Sequence, residues 1–208
     1  SFITFAVSCS FAQDSKEVNT KFKAFKMYAN SDIIVSTKLN PYNFISLLNT
    51  FSPSISWGRE YGNFHEVLVQ DFGLSLGSFQ RSFSSTVDYS YNFKLLKKNT
   101  TKKINFYAGV GVQAGYNFAK NPAYSSISFE SKNHRMNFNL VFTPRMTVKL
   151  GKRALLDVNI PYAVQSWERG SYITDNPHFP VENRTRVNTT STTFPNQFTV
   201  RVGVAIKF

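Results

Sequence analysis

Residues 104–118 constrain the fold most, because they alternate strictly between apolar side chains and small or polar ones. The apolar set consists of Ile104, Phe106, Ala108, Val110, Val112, Ala114, Tyr116 and Phe118. The other set holds asparagine, glutamine, tyrosine and glycine, and the segment contains no charged residue. Successive side chains of a β-strand point to opposite sides, so the pattern predicts a strand with one apolar face. The polar face of a soluble sheet would normally carry charges.

The same alternation recurs along the chain and predicts eight strands. They cover residues 33–48, 53–61, 66–76, 85–95, 104–118, 136–150, 154–164 and 198–208. Tight connections at 61–63, 97–103 and 150–153 alternate with longer ones at 77–84, 119–134 and 166–196, and with a short one near 49–52. Membrane barrels have this asymmetry and an even number of strands. The sequence therefore predicts an all-β fold, a transmembrane antiparallel up-and-down β-barrel of eight strands over residues 32–208.

Composition agrees with a membrane barrel. Aromatic residues make up 16% of the 208 residues and charged residues 17%, whereas soluble domains carry about 25% charge. No run of 18 apolar residues exists, which excludes a transmembrane helix. Aromatic residues fall near the predicted strand ends, where girdles mark the headgroup levels of a bilayer. One predicted girdle holds Trp57, Tyr61, Phe93, Phe106 and Phe208, and the other holds Tyr116, Phe118, Phe138, Tyr162, Trp167 and Phe198.

The first residues are typical of an export signal. Residues 1–12 have an apolar stretch followed by small residues, which predicts the remnant of a secretory signal peptide cleaved after Ala12. The alternative is a lipoprotein signal with a lipid on Cys9, the single cysteine. Residues 13–31 are interpreted as a periplasmic segment that precedes the barrel.

The last strand, Gln197–Phe208, has alternate apolar residues and a terminal phenylalanine. It resembles the closing strand of small outer-membrane β-barrel proteins of the OmpA and OmpX type. The Asn40-Pro41 pair and the Ile55–Glu60 hairpin resemble that family as well. The resemblance implies a place in the outer membrane of a Gram-negative bacterium and is specific for architecture. It does not imply one activity, because the class includes adhesins, enzymes, narrow channels and subunits of larger assemblies.

The inward faces of the predicted strands carry charged and amide side chains. The predicted lumen network consists of Lys38, Asp71, Asp88, Lys94, Gln113, Arg145, Lys149, Asp157 and Arg201. Eight strands leave an interior just wide enough for side chains to fill, and charges buried there are costly unless paired. We therefore expect an interlocked ion-pair network rather than a conduit, and a small selective pore is the alternative.

The net charge of +12 raises nucleic acid as a partner. The basic residues lie at predicted turns, such as Lys97, Lys98, Lys152 and Arg153, and form no helical stripe. We therefore expect no nucleic-acid binding, and outer-membrane lipids fit this distribution better. The long segment 166–196 is either a flexible surface loop or a contact for lipopolysaccharide or a protein, with Arg169, Arg184 and Arg186 facing phosphates.

Catalytic and metal-binding patterns are weak. The spacing of His65, His134 and His178 matches no metal-ligand motif, and we expect no metal or cofactor. A lipid-modifying enzyme would need a histidine with a serine and a carboxylate, and Glu130, Ser131 and His134 lie close in sequence. Such proximity is common in polar loops. The sequence favours a non-enzymatic barrel that serves envelope integrity or docks a partner through its outer loops, with a pore and a lipid-modifying enzyme as alternatives.

Overall fold

The computed structural model describes residues 21–34, 45–59, 62–77, 80–95, 103–123, 129–193 and 197–208. For 31–34, 45–50, 197 and 198 it describes the backbone alone. The strands are β1 Lys21–Ile34, β2 Ile45–Arg59, β3 Phe64–Leu76, β4 Arg81–Lys94, β5 Ile104–Asn121, β6 Ser131–Lys149, β7 Ala154–Asn159, β8 Tyr162–Thr174, β9 Thr185–Thr193 and β10 Gln197–Lys207. One turn of 3-10 helix spans Val181–Asn183. Within the described residues, no helix has the length and apolar character to cross a bilayer.

The strands close into an antiparallel barrel with eight strand positions. From β1 to β7 each strand pairs with the next, and β10 closes the ring by pairing with β1, with Ala24 opposite Lys207 and Ile34 opposite Gln197. β7 and β8 together occupy the seventh position beside β6. The break between them falls at Pro161, because the proline ring has no N–H to donate to the ladder. β9 and β10 pair with β8 and β7 in turn and form the eighth position. The predicted eight-stranded barrel is confirmed.

The first strand begins earlier than its alternation suggested. The sequence interpretation placed that strand at 33–48 and left 13–31 outside the barrel. In the structure β1 spans Lys21–Ile34 and closes the ring, so residues 21–31 belong to the barrel. Residues 45–48 belong to β2 and not to the first strand. The sequence pattern missed β1 because it carries lysines on both faces, Lys23 outward and Lys26 inward, which obscures its apolar stripe. The predicted signal segment 1–12, Cys9 and the Asn40-Pro41 pair lie outside the described residues.

The two ends of the barrel differ in how far the strands extend more than in the length of the connections. The terminal end is the rim where β1 begins and β10 ends, and the hairpin end is the opposite rim, where β8 turns back into β9. The predicted contrast in connection length is weaker than expected, because residues 77–80 make a short link at the hairpin end. The strands β5 and β6 have 18 and 19 residues, whereas a membrane crossing needs about 9–11. The part of the wall formed by β5, β6, β8 and β9 therefore extends past the length of a membrane crossing at the hairpin end.

Candidate functional site

The candidate site is the lumen, which is filled by polar side chains. On β2 the inward residues Ser52, Ser54 and Ser56 are buried, while the alternate residues Phe51 and Ile55 are exposed on the outside. The same division runs along the neighbouring strands, so apolar side chains cover the exterior and hydroxyl, amide and charged groups fill the interior. This arrangement is typical of a membrane barrel, whose apolar exterior contacts lipid.

Four charged side chains from four strands meet in the lumen and form the central ion cluster. They are Lys26 of β1, Glu66 of β3, Arg145 of β6 and Asp157 of β7. The Nζ atom of Lys26 lies 2.6 Å from Asp157 Oδ2 and 3.0 Å from Glu66 Oε1. The guanidinium of Arg145 forms an ion pair with Glu66, and its Nε lies 3.4 Å from Asp157 Oδ1. The cluster thus ties strands on different sides of the barrel to one another.

The central ion cluster is electrically neutral and isolated from solvent. Its side chains are at most 3% exposed, and its two positive and two negative groups balance. The hydroxyl groups of Tyr28 and Ser54 each donate a hydrogen bond of 2.9 Å to Glu66 Oε1. The ring of Phe64 lies near both cations, with Lys26 Nζ 4.7 Å from its centroid. Buried charges are tolerated only with such pairing, so each member depends on the others.

A second group of polar contacts lies nearer the hairpin end. Arg201 donates hydrogen bonds to Asp88 Oδ2 at 2.9 Å and to Gln70 Oε1 at 2.8 Å. The amide of Asn139 donates to Gln113 Oε1 at 2.6 Å, close to the part of the lumen lined by glycines of β5. A Cβ atom at Gly115 would lie 2.0 Å from Asn137 Oδ1, so these glycines leave room for the amide side chains.

The structure places the predicted lumen residues unevenly. Four of them are buried in the two groups of contacts: Asp88, Arg145, Asp157 and Arg201. Gln113 binds Asn139, and Lys94 and Lys149 are half-buried. Lys38 lies outside the described residues. Asp71 is exposed, unlike the buried members of the two groups of contacts. It has a φ of 54°, and the register of β3 against β4 shifts between Gln70 and Gly73. Asp71 therefore lies in a β-bulge rather than on the inward face.

Sequence reasoning missed Lys26 and Glu66, two members of the central ion cluster. Lys26 was assigned to the segment before the barrel. Glu66 was missed because the apolar residues Phe72 and Leu74 set the phase of β3, and the bulge at Asp71 inverts that phase in the preceding half. The sequence did contain a signal for the bulge. Asp71 is followed by Phe72 and Leu74, which are out of phase with the two valines before it, and aspartate tolerates a positive φ better than most residues.

The candidate catalytic residues do not assemble. Nδ1 of His134 is hydrogen-bonded with the hydroxyl of Tyr116 at 2.9 Å, and Ser131 Oγ accepts from Asn121 Nδ2 at 3.3 Å. The carboxylate of Glu130 instead pairs with Lys120 and Lys132 at 2.8 and 3.1 Å. Among the described residues, no group of three or more His, Cys, Asp or Glu side chains could hold a metal ion.

Within the segment 166–196, for which a flexible loop was one expectation, the described residues 166–193 form a hairpin. β8 and β9 pair from Gln165–Thr193 to Ile173–Thr185, and all nine residues of β9 are exposed. Arg184 donates to the carbonyl oxygens of Phe179 and Pro177, and Arg186 lies over the Phe179 ring. These two arginines therefore stabilise the hairpin itself.

The hairpin tip is bound to the start of β6 through Glu130. The backbone N–H of Asp175 and the hydroxyl of Thr174 donate to the Glu130 carbonyl oxygen, at 3.2 Å each. Hydrogen bonds from Lys120 and then Lys132 to its side chain lower the pKa of Glu130 from its ordinary value of 4.5. The projecting wall is thus held by backbone pairing, by local arginines and by this ion-paired corner.

A closed antiparallel ring with an apolar exterior and a polar, filled lumen defines the class: the chain has the fold of an outer-membrane β-barrel. Among solved structures it is similar to Ail, the attachment invasion locus protein of Yersinia pestis, with a TM-score of 0.50, 9% identity and coverage of 90% of this chain and 97% of that one. It is also similar to the outer membrane protease OmpT of Escherichia coli, with a TM-score of 0.53, 9% identity and coverage of 94% and 99%. No protein-family model and no curated protein matches the sequence.

Proposed function

We propose that the protein is a non-enzymatic barrel of the Gram-negative outer membrane that docks a partner at the cell surface through its projecting wall. The lumen has a structural role in this proposal, and the wall at the hairpin end carries the function. One observation carries the proposal: β5 and β6 have 18 and 19 residues, more than the roughly 9–11 of a membrane crossing, the β8–β9 hairpin pairs along β6, and all nine residues of β9 are exposed.

The character of β9 suits docking by an extended segment. Its sequence from Thr185 to Thr193 is rich in threonine, and among the described strands it pairs with β8 alone. A strand that presents backbone N–H and C=O groups can add an extended peptide by β-augmentation. The ordering of the hairpin by Arg184 and by the Glu130 corner reduces the entropy that binding would otherwise have to remove.

Lipopolysaccharide is the second candidate partner, and Arg169 supports it. Arg169 is exposed on the outward face of β8, opposite Met136 of β6 and Thr189 of β9. This position lies at the border between the apolar belt and the polar wall, where a lipid phosphate would be met. Arg184 and Arg186, which were grouped with it, bind within the hairpin.

The orientation is tested first by labelling intact cells. Asn188→Cys should react with a membrane-impermeant maleimide, because β9 faces the outside in this proposal. Lys152→Cys, which is exposed at the terminal end, should react only after the outer membrane is permeabilised. Equal labelling of the two variants in intact cells would reject the orientation.

Docking is tested by a photoreactive amino acid at Thr189 in native membranes, with the same group at Lys152 as control. We expect a defined protein adduct from position 189, lost when residues 175–184 are replaced by Asn-Gly. Lipopolysaccharide adducts alone would favour the second candidate. No adduct at 189, or identical adducts at both positions, would contradict docking through the wall.

A further inference from the structure

The outward surface of the terminal end is basic. Exposed cations form two groups there, one with Lys21, Lys23 and Arg59, and one with Lys103, Lys152 and Arg153. The described side-chain carboxylates lie elsewhere: Glu66, Asp88 and Asp157 are in the lumen, Asp71 is in the hairpin-side half of β3, and Glu130, Glu168, Asp175 and Glu182 are at the hairpin end. Among the residues whose side chains are described, none neutralises either group within 4 Å.

The first group differs from the second because it adjoins a row of aromatic side chains on the outer face. Lys23 lies directly opposite Trp57, Trp57 opposite His65, and His65 opposite Tyr91. Arg59 follows Trp57 on the same face of β2, and Lys21 is its cross-strand partner. Directly opposed side chains in a sheet have Cβ atoms about 5 Å apart, so the three cations border one continuous surface.

The aromatic row is fixed in place by contacts among its members. The rings of Trp57 and His65 are stacked at 5.5 Å with an interplanar angle of 11°, and the His65 and Tyr91 rings are 4.7 Å apart. Nδ1 of His65 is hydrogen-bonded with the hydroxyl of Tyr89 at 2.9 Å, and Asn63 donates to the hydroxyl of Tyr91 at 3.1 Å. Beside the second group of cations, the described residues form no ring stack.

We propose that Lys21, Lys23, Arg59, Trp57, His65 and Tyr91, termed the basic–aromatic patch, bind the headgroup of one anionic phospholipid. The charge is complementary, since three cations without described carboxylate partners face a single phosphodiester. The position of the patch at the barrel rim is suitable too, because aromatic rings with polar atoms are favoured at the boundary between acyl chains and headgroups. In this site the cations hold the phosphate, and the stacked indole and imidazole cover the glycerol region. The inference rests on the membrane-spanning fold and is independent of docking through the projecting wall.

Native mass spectrometry of the intact protein in detergent tests the site, with phosphatidylglycerol and phosphatidylcholine as probes. Wild type should retain phosphatidylglycerol preferentially. The triple variant Lys21→Gln, Lys23→Gln, Arg59→Gln should bind it at least about tenfold more weakly, since each basic residue near a lipid surface contributes appreciably. The matched variant Lys103→Gln, Lys152→Gln, Arg153→Gln removes the same charge at the same rim and should change binding by less than about twofold.

Fluorescence distinguishes a built site from a generally basic rim. With Trp167→Phe, Trp57 is the remaining tryptophan, and brominated phosphatidylglycerol in nanodiscs should quench it more than brominated phosphatidylcholine does. Heat-modifiable migration on gels verifies that each variant is folded. Equal losses in the two triple variants, no loss in either, or equal quenching by the two lipids would overturn the proposal.

Discussion

Asp71 shows how one residue can invert the pattern of a strand. With a φ of 54° it adopts a left-handed conformation, and the two residues after Gln70 oppose a single residue of β4. Before the bulge the even-numbered residues of β3, such as Glu66 and Leu68, point inward, and after it Phe72 and Leu74 point outward. A one-residue slip moves every side chain to the other face of a sheet. The inward position of Glu66 therefore could not be predicted from the apolar stripe alone.

The central ion cluster makes a residue-level prediction about stability. Arg145→Met leaves Glu66 and Asp157 sharing one cation, Lys26, and should destabilise the barrel by about 3–5 kcal/mol. Adding Glu66→Gln restores neutrality around the remaining Lys26–Asp157 pair, so the double variant should be more stable than the single one. Urea unfolding in lipid vesicles, followed by tryptophan fluorescence, measures both. A single variant within about 1 kcal/mol of wild type would contradict the cluster's structural role.

Glu130 makes a prediction about pH. Its pKa is lowered by Lys120 and Lys132, so its ion pairs contribute fully above the ordinary value of 4.5 and are lost as the pH falls through the lowered value. Titration of the Glu130 carboxyl followed by NMR should show a midpoint below 4.5. In the variant Lys120→Gln, Lys132→Gln the midpoint should return towards 4.5. A wild-type midpoint at or above 4.5 would show that the corner is not ion-paired in solution.

At the scale of elements, the strands that alternate without charge were predictable and β1 was not. β5 has an uninterrupted apolar face and no charge over residues 104–118, and the structure gives it as Ile104–Asn121. β1 has exposed Lys21 and Lys23 on the face that also bears Phe25 and Met27, so its stripe is shorter than a membrane crossing. Its place in the barrel depends on pairing with β10 across the whole sequence, which local pattern does not encode.

The lipid-facing stripe of β5 makes an element-level prediction. Val110 points outward and is 48% exposed, as expected of a side chain that contacts lipid. Val110→Arg should destabilise the barrel by about 2–4 kcal/mol if the position lies near the bilayer midplane. Thr189→Arg on the projecting β9 is the matched control and should change the free energy of unfolding by less than about 0.5 kcal/mol. Equal effects in vesicles would contradict the placement of the belt and the wall.

At the scale of the whole molecule, the alternating pattern of the sequence predicted the architecture better than it predicted the site. Closure into eight positions follows from alternation repeated along the chain. The partners within the lumen depend on which strands face each other across it. Arg145 and Glu66 are 79 residues apart and Lys26 and Asp157 are 131 apart, so neither pairing was visible as a motif. The extension of β8 and β9 beyond the barrel was likewise hidden, because a segment rich in Asn, Thr and Pro resembles a loop.

The central claim is that the lumen is filled by paired side chains and does not conduct. Single-channel recording of the wild-type protein in planar bilayers tests it most directly. We expect an eight-stranded interior occupied by the central ion cluster and the Arg201–Asp88 pair to leave no continuous water path. We predict no steady ion current for protein whose folding has been verified by heat-modifiable migration. A steady, ion-selective open-channel current from such protein would contradict the filled-lumen account.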